Sequence, residues 1–168
     1  MTTFSAPAKI ILFGEHAVVY GQPAIAVPFS ALRASAEVHK NNPPGQGLLI
    51  VAGDLQKTIR VEDAGNVLAE MSRLILKQLG ASPPDVTISL RSTIPVASGL
   101  GSGAAIASVL GRVLSAVVNH PLSDDALNQI VYEIEKLHHG TPSGIDNTVV
   151  VYEQPIYFVR DQAIQRLK

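Results

Sequence analysis

The sequence contains no cysteine and no tryptophan, and aromatic residues make up only 5% of its 168 positions. Without thiols, disulfide scaffolds, thiolate zinc centres and cysteine nucleophiles are excluded together. Charge is scarce as well: charged residues are 16% of the chain, and 13 Lys and Arg stand against 14 Asp and Glu, a formal net charge of -1. That balance gives no global basic field to hold a polyanion, and no Lys/Arg run supplies a local one, so nucleic acid is not an expected partner. No run approaches the ~18 apolar residues of a membrane span. The first residues also lack the basic and then apolar pattern of a secretory signal. These absences lead to the expectation of a soluble, cytoplasmic protein with no membrane partner.

What the chain does have is apolar substance. Hydrophobic residues make up 46% of it, which excludes intrinsic disorder, and its length matches the ~100–200 residues usual for one domain. Alternating or β-branched segments come first, at 9–13, 34–39, 48–52 and 58–62, separated by stretches bearing Gly and Pro. Helical spacing then predicts an amphipathic helix over 66–79, ended by Gly80. Residues 85–91 alternate cleanly, with Val86, Ile88 and Leu90 on one face, and read as a half-buried strand. From Ile106 the apolar residues recur at i+3, i+4, i+7, i+8, i+11 and i+12, the strongest helical signal in the chain. Ser123 followed by Asp124 and Asp125 marks the start of another helix that runs to His138. Strands first and helices later predict an α+β arrangement, a strand-rich layer covered by helices.

Three segments carry residues suited to chemistry. Pro95, Val96, Ala97, Ser98, Gly99, Leu100, Gly101, Ser102, Gly103 and Ala104 join the half-buried strand to the strongest helix. A helix N-terminus offers unpaired N–H groups and a positive dipole end, and small residues let an anion approach. The same glycines also suit a simple tight turn. The P-loop pattern is absent. Gly99 to Ala104 fits G-x-G-x-x-A, but the acid a dinucleotide fold needs at the end of the next strand is missing. The hydrolase elbow G-x-S-x-G is missing too. The second segment sets Lys9 at the head of an apolar strand and Glu15 and His16 at its close; both readings stand, solvated charges or site residues. In the third, Glu135 lies on the last predicted helix and Asp146 follows Ser143 and Gly144 in a loop, where a capping or turn role is the alternative. His138 and His139 are adjacent, do not share a helix face and have no third ligand spaced with them, so they read as structural.

Taken together and in order, the segments Pro7-Ala8-Lys9 through Gly14-Glu15-His16-Ala17-Val18-Val19-Tyr20-Gly21, Pro95 through Ala105, and His139-Gly140-Thr141-Pro142-Ser143-Gly144-Ile145-Asp146-Asn147 resemble the mevalonate kinase branch of the GHMP small-molecule kinase superfamily. Galactokinases share Gly-Glu-His, but usually continue into Thr-Asp. The resemblance implies a fold like the second domain of ribosomal protein S5 (S5 domain 2-like), with residues 1–168 as the N-terminal domain and the C-terminal GHMP domain absent. It implies transfer of the ATP γ-phosphate to the primary hydroxyl of mevalonate. Asp146 would meet the hydroxyl, as base or electrostatic positioner, and Lys9 would pair with it and stabilise the transferring group. Pro95, Ala97, Ser98, Gly99, Leu100, Gly101, Ser102, Gly103 and Ala104 would wrap the triphosphate. Ser102 and Glu135 would offer oxygen ligands to Mg2+, and Glu15, His16 and Ser143 would face mevalonate. Phosphomevalonate kinase and a catalytically inactive nucleotide-binding fragment are the alternatives. Two departures stand out. Gly103 replaces a serine common in relatives, and nothing after Asn147 resembles the second glycine-rich motif, so the expectation is a truncated chain whose uncovered apolar docking face would promote a homodimer.

Overall fold

A computed structural model of the chain describes residues 3–163 and 165–167; the side chains of Val19, Leu55, His138 and His139 are outside that description. The structural reading of the two histidines therefore lies outside the described residues. One mixed sheet is built from β1 (Thr3–Phe13), β2 (Ala24–Lys40), β3 (Leu49–Ala52), β4 (Lys57–Arg60), β5 (Val86–Ser92), β6 (Ile156–Phe158) and β7 (Gln165–Arg166). Four helices, α1 (Val67–Gln78), α2 (Ser102–Val117), α3 (Asp124–His139) and α4 (Ile145–Tyr152), complete it with short 3-10 turns at Ala17–Tyr20 and Gly53–Leu55. The strand order is β4-β3-β5-β2-β6-β7, with β1 antiparallel to β2. The parallel β3–β5 pair is the one that needs a crossover, which runs through β4 and α1. None of the described helices is long and apolar enough to cross a membrane.

The three predicted helices form where their periodicity and caps place them. Asn66 caps α1, its side chain accepting from the Leu68 and Ala69 N–H groups, and Ser123 caps α3 by accepting from Ala126. Gly80, at φ 63°, turns the chain after α1. α2 begins four residues earlier than Ile106 and is the hub of the helical layer, packing on β1 and β2 and against α1, α3 and α4. Its Val109, Leu110, Val113 and Leu114 are fully buried. Gly111 lets α3 come close: a Cβ there would lie 2.4 Å from Leu127 Cδ1.

Three elements differ from expectation. β2 runs for 17 residues, well beyond 34–39, although Pro28 lies within it. β6 covers the second edge of β2 only at Ala24–Ala26 and β5 only from Ala34. Pro28 falls in the gap between them, where a missing N–H breaks no ladder on that edge. The register against β1 also shifts between Pro7 and Ala8, a bulge that bends the long strand. Second, Asp146 is not in a loop but in the first turn of α4, a helix hidden from sequence reading by its run of β-branched residues. Third, β6 and β7 carry too few residues for a period-2 signal.

Away from the helices, the turn before β3 is organised by one carboxylate. Asp85 Oδ2 accepts from the Gly45 N–H at 2.6 Å, and Oδ1 accepts from Asn41 Nδ2 at 2.6 Å and the Gly47 N–H at 3.0 Å. These bonds, that from Gly45 foremost, hold the carboxyl below its ordinary range. A group lowered in the folded state stabilises above its unfolded pKa, and that contribution is lost as pH falls through the folded value. Asp85→Asn is therefore expected to lower the melting temperature at pH 7, with the gap to the unsubstituted chain closing below about pH 4. A gap that is unchanged with pH would remove the carboxylate's role.

Candidate active site

The site is assembled where β1, the loop 95–101, α2, α3 and α4 meet. The loop leaves β5 and turns on left-handed residues: Gly99 at φ 73°, Gly101 at φ 74° and, unusually for a residue with a Cβ, Ala97 at φ 56°. Strain of that kind costs about 1–3 kcal/mol and persists only where the surroundings enforce it. Here the enforcement is visible. Leu100 O accepts from the Lys9 N–H at 3.0 Å, and the Ser98 hydroxyl donates to Pro95 O at 2.8 Å. A Cβ on Gly101 would sit 2.9 Å from Lys9 Cγ and 3.6 Å from Asp146 Oδ2, so a side chain there would collide with the centre of the site.

Past Gly101 the helix starts with no side-chain cap. The Ala105 N–H reaches Gly101 O at 3.0 Å; the N–H groups of Ser102, Gly103 and Ala104 precede it and have no carbonyl within the helix to bond. The loop thus presents three donors and the positive end of a 16-residue helix to an anion.

Lys9 Nζ and Asp146 Oδ1 form an ion pair at 3.0 Å. Lys9 is only 5% exposed, which removes the reading of it as a solvated strand-end charge. Asp146 keeps 30% side-chain exposure on the cavity side. Its position follows from Gly144, at φ 90°, which turns the chain into α4, and from the Ser143 hydroxyl oxygen, which accepts from the Ile145 N–H at 3.3 Å. Glu135, on α3, is likewise 5% exposed, so it is not a surface helix charge. Its Oε1 lies 3.1 Å from where a Cβ on Gly103 would be. A side chain at position 103 would press on this carboxylate, and glycine leaves it room.

Three adjoining cavities surround these groups. One of about 160 Å³ is lined by residues 97–104 with Glu135 and Asp146. A second, of about 180 Å³, shares Glu135 and Asp146 and adds Pro142, Ser143, Gly144 and Asn147. A third, of about 500 Å³, shares Ala97, Ser102 and Gly103 with the first and is walled by Val67, Leu68, Met71, Leu90, Ile94 and Ile106 among others. The structure therefore brings together Lys9, the glycine loop, Glu135, Ser143 and Asp146. It does not bring Pro95, Glu15 or His16 into these cavities. Pro95 is exposed, and Glu15 and His16 are exposed in the turn after β1. Nearby Leu12, Phe13 and Tyr20 are exposed too.

Two features escaped sequence reading. The apolar cavity is walled by residues whose periodicity marks them only as core. Asn147, 3% exposed, donates to Asn128 Oδ1 at 2.8 Å while its own Oδ1 has no hydrogen-bond partner, and an adjacent acid gives no sign of that.

A lysine–aspartate pair thus stands at the mouth of a glycine-rich helix N-terminus on this sheet-and-helix frame, an arrangement suited to holding an anion beside a carboxylate. Residues 66–154, just over half of the chain's 168 residues, match the family of GHMP kinases N terminal domain, and the chain belongs to that family. Within it, the chain is 36% identical over 171 residues to a mevalonate kinase of Pyrococcus abyssi, covering 92% of this chain and 50% of that protein. It is 35% identical over 160 residues to one of Thermococcus onnurineus, covering 86% and 48%. The crystal structure of the Methanococcus jannaschii mevalonate kinase superposes with a TM-score of 0.88 at 27% identity, over 99% of this chain and 56% of that one. The chain spans about half the length of the curated relatives it matches.

Proposed function

We propose that this chain supplies the nucleotide- and acceptor-binding half of a kinase that transfers the γ-phosphate of ATP to the primary hydroxyl of mevalonate in the cytoplasm. The observation that carries this reading is the pairing of buried Lys9 with Asp146 at 3.0 Å, set against a glycine loop with open helix N–H donors. The triphosphate lies in the cavity lined by 97–104, its oxygens on the N–H groups of Ser102, Gly103 and Ala104, and its base enters the apolar cavity that opens from the same residues. The acceptor occupies the cavity shared by Glu135, Ser143 and Asp146. Asp146 accepts the hydrogen bond of the attacking hydroxyl and takes its proton as the new O–P bond forms and the bond from the γ-phosphorus to the bridging oxygen breaks, with ADP leaving. Lys9 holds Asp146 in place and faces the charge of the transferring group. Phosphoryl transfer asks for little beyond this positioning and charge stabilisation.

The Ser102 hydroxyl and the Glu135 carboxylate suit Mg2+. They are hard oxygen donors beside the phosphate cavity, and among the described residues no group of three or more His, Asp or Glu competes as a closed protein cage. Mg2+ prefers one or two protein oxygens completed by phosphates and water. When bound it neutralises phosphate charge; the residues named above do the rest. Glu15 and His16 are exposed in the turn after β1 and line none of the three cavities, so the acceptor is assigned to Glu135, Ser143 and Asp146 alone. An acceptor already carrying phosphate would call for added cations. Among the described residues the two polar cavities are lined by two carboxylates and by no Arg or Lys, and the nearby Lys9 is already paired with Asp146, which favours unphosphorylated mevalonate.

The test is coupled ADP release with Mg-ATP on the complete gene product and on the 168-residue chain, with mevalonate against phosphomevalonate, homoserine and galactose. Turnover on mevalonate by the complete product and none by the short chain is expected. Turnover on a control acceptor alone, or on none, overturns the reading.

A further inference from the structure

We infer that Asn147 is a positioning residue: bonded to Asn128 on the neighbouring helix, its buried amide fixes the rotation of α4 and so the direction in which Asp146 points; the inference rests on the role proposed for Asp146 above. Asn147 is 3% exposed, and its Nδ2 donates to Asn128 Oδ1 at 2.8 Å. The Oδ1 of the same amide is closed off from solvent and accepts no hydrogen bond. A buried acceptor without a donor is destabilising, and an apolar side chain of the same shape would not carry that penalty. The other buried side chains of α4 include Ile145, Val149, Val150 and Val151, all apolar. An amide is therefore a poor choice for packing alone. With Oδ1 closed off and Nδ2 engaged by Asn128, it acts on the helix rather than on a ligand.

What the amide does follows from where it stands. α4 has 8 residues, and Gly144 at its N-cap supplies no side-chain cap. Thr148 Oγ1 donates to Gly144 O at 2.6 Å, a bond that ties the first turn to itself but not to another element. Asp146 reaches Lys9 on β1 at 3.0 Å, and one residue on, Asn147 reaches Asn128 on α3. Successive residues of a helix project about 100° apart. The ion pair alone leaves the turn free to roll about its axis, because the flexible stem of Lys9 lets the ammonium follow the carboxylate. A second anchor in another direction stops the roll. Asp146 and Asn147 both line the acceptor cavity, into which the carboxylate must present an oxygen, and a misplacement of about 1 Å is enough to lower a rate about 10²-fold.

The experiment compares single-turnover phosphoryl transfer in the complete gene product, at saturating ATP, Mg2+ and mevalonate. The double variant Asn128→Leu/Asn147→Leu removes the bond and the unbonded acceptor together. It is expected to melt at or above the unsubstituted temperature and to bind ATP unchanged, while transfer slows about ten- to hundredfold. Asn128→Asp keeps an acceptor for Asn147 Nδ2 and is expected to keep the unsubstituted rate. Because Asn147 acts through Asp146, adding the leucine pair to Asp146→Asn is expected to lower the rate no further. If the double variant does not fold, Asn128→Leu, changed only at the half-buried partner, is measured in both backgrounds with the same expectations for the rate. A folded leucine variant with the unsubstituted rate, a loss as large on Asp146→Asn as on the unsubstituted protein, or an Asn128→Asp as slow as the leucine variant overturns the inference and leaves the kinase reading standing. An Asp146→Asn protein that transfers at the unsubstituted rate overturns the role of Asp146 and this inference with it, and absence of transfer by the unsubstituted protein overturns the kinase reading itself.

Discussion

Replacing Asp146 by asparagine in the complete gene product is expected to lower kcat on mevalonate by about 10²–10⁴-fold, the range for losing a positioned proton acceptor, with ATP affinity near that of the unsubstituted enzyme. Asparagine is the informative choice. Its amide oxygen can still accept from Lys9 Nζ, now 3.0 Å from Asp146 Oδ1, so the geometry is kept while the charge and the basic site go. Asp146→Ala is expected to abolish turnover as well, but for two reasons at once. It leaves an ammonium whose side chain is 6% exposed with no carboxylate, and stranding a buried charge costs about 3–5 kcal/mol. Single-turnover rates together with melting curves separate the two effects. An Asp146→Asn enzyme that turns over at the unsubstituted rate would take Asp146 out of the chemistry.

Lys9→Met should fail differently. Methionine replaces the alkyl stem that packs beneath Gly101 and removes only the ammonium. Asp146, with 30% side-chain exposure, keeps water on its open side, so melting is expected to change far less than in Asp146→Ala. Turnover should nonetheless drop about 10²–10³-fold, the scale for removing one preorganised charge stabiliser. Because the pair acts as a unit, the double variant Lys9→Met/Asp146→Asn is expected to be little worse than either single one. Multiplicative losses in that cycle would mean the two groups work independently and would contradict the pairing as the functional element.

Legibility followed the physics of each signal. The three long helices could be read because their apolar spacing, caps and terminating glycine all agree, as at Asn66, Ser123 and Gly80. β5 could be read from its alternation. α4 could not: Thr148, Val149, Val150 and Val151 prefer strands in isolation, and they are helical because Gly144 turns the chain and the segment is buried against α3 and the sheet. The long β2 was hidden by Pro28, tolerated only because β5 and β6 leave a gap beside it. Among site residues, Lys9 and Asp146 could be singled out by their motifs, but not by their residue types alone. A lysine at a strand end is usually solvated, and whether this one is depends on what lies over it.

Sequence alone was sufficient for the balance of charge, the absence of thiol chemistry, the glycine loop entering a long helix and the order of the three motifs. Each is a local property of composition or spacing: the first two exclude chemistries, the glycine loop suits an anion, and the three motifs in order carry the family resemblance. Burial and convergence are not local. That Lys9 and Asp146, 137 positions apart in sequence, meet at 3.0 Å, and that Glu135 faces inward against a glycine with room for it, both depend on which surfaces the packed helices and sheet bring together. Folding removes water from some charges and not others, and only the three-dimensional packing says which.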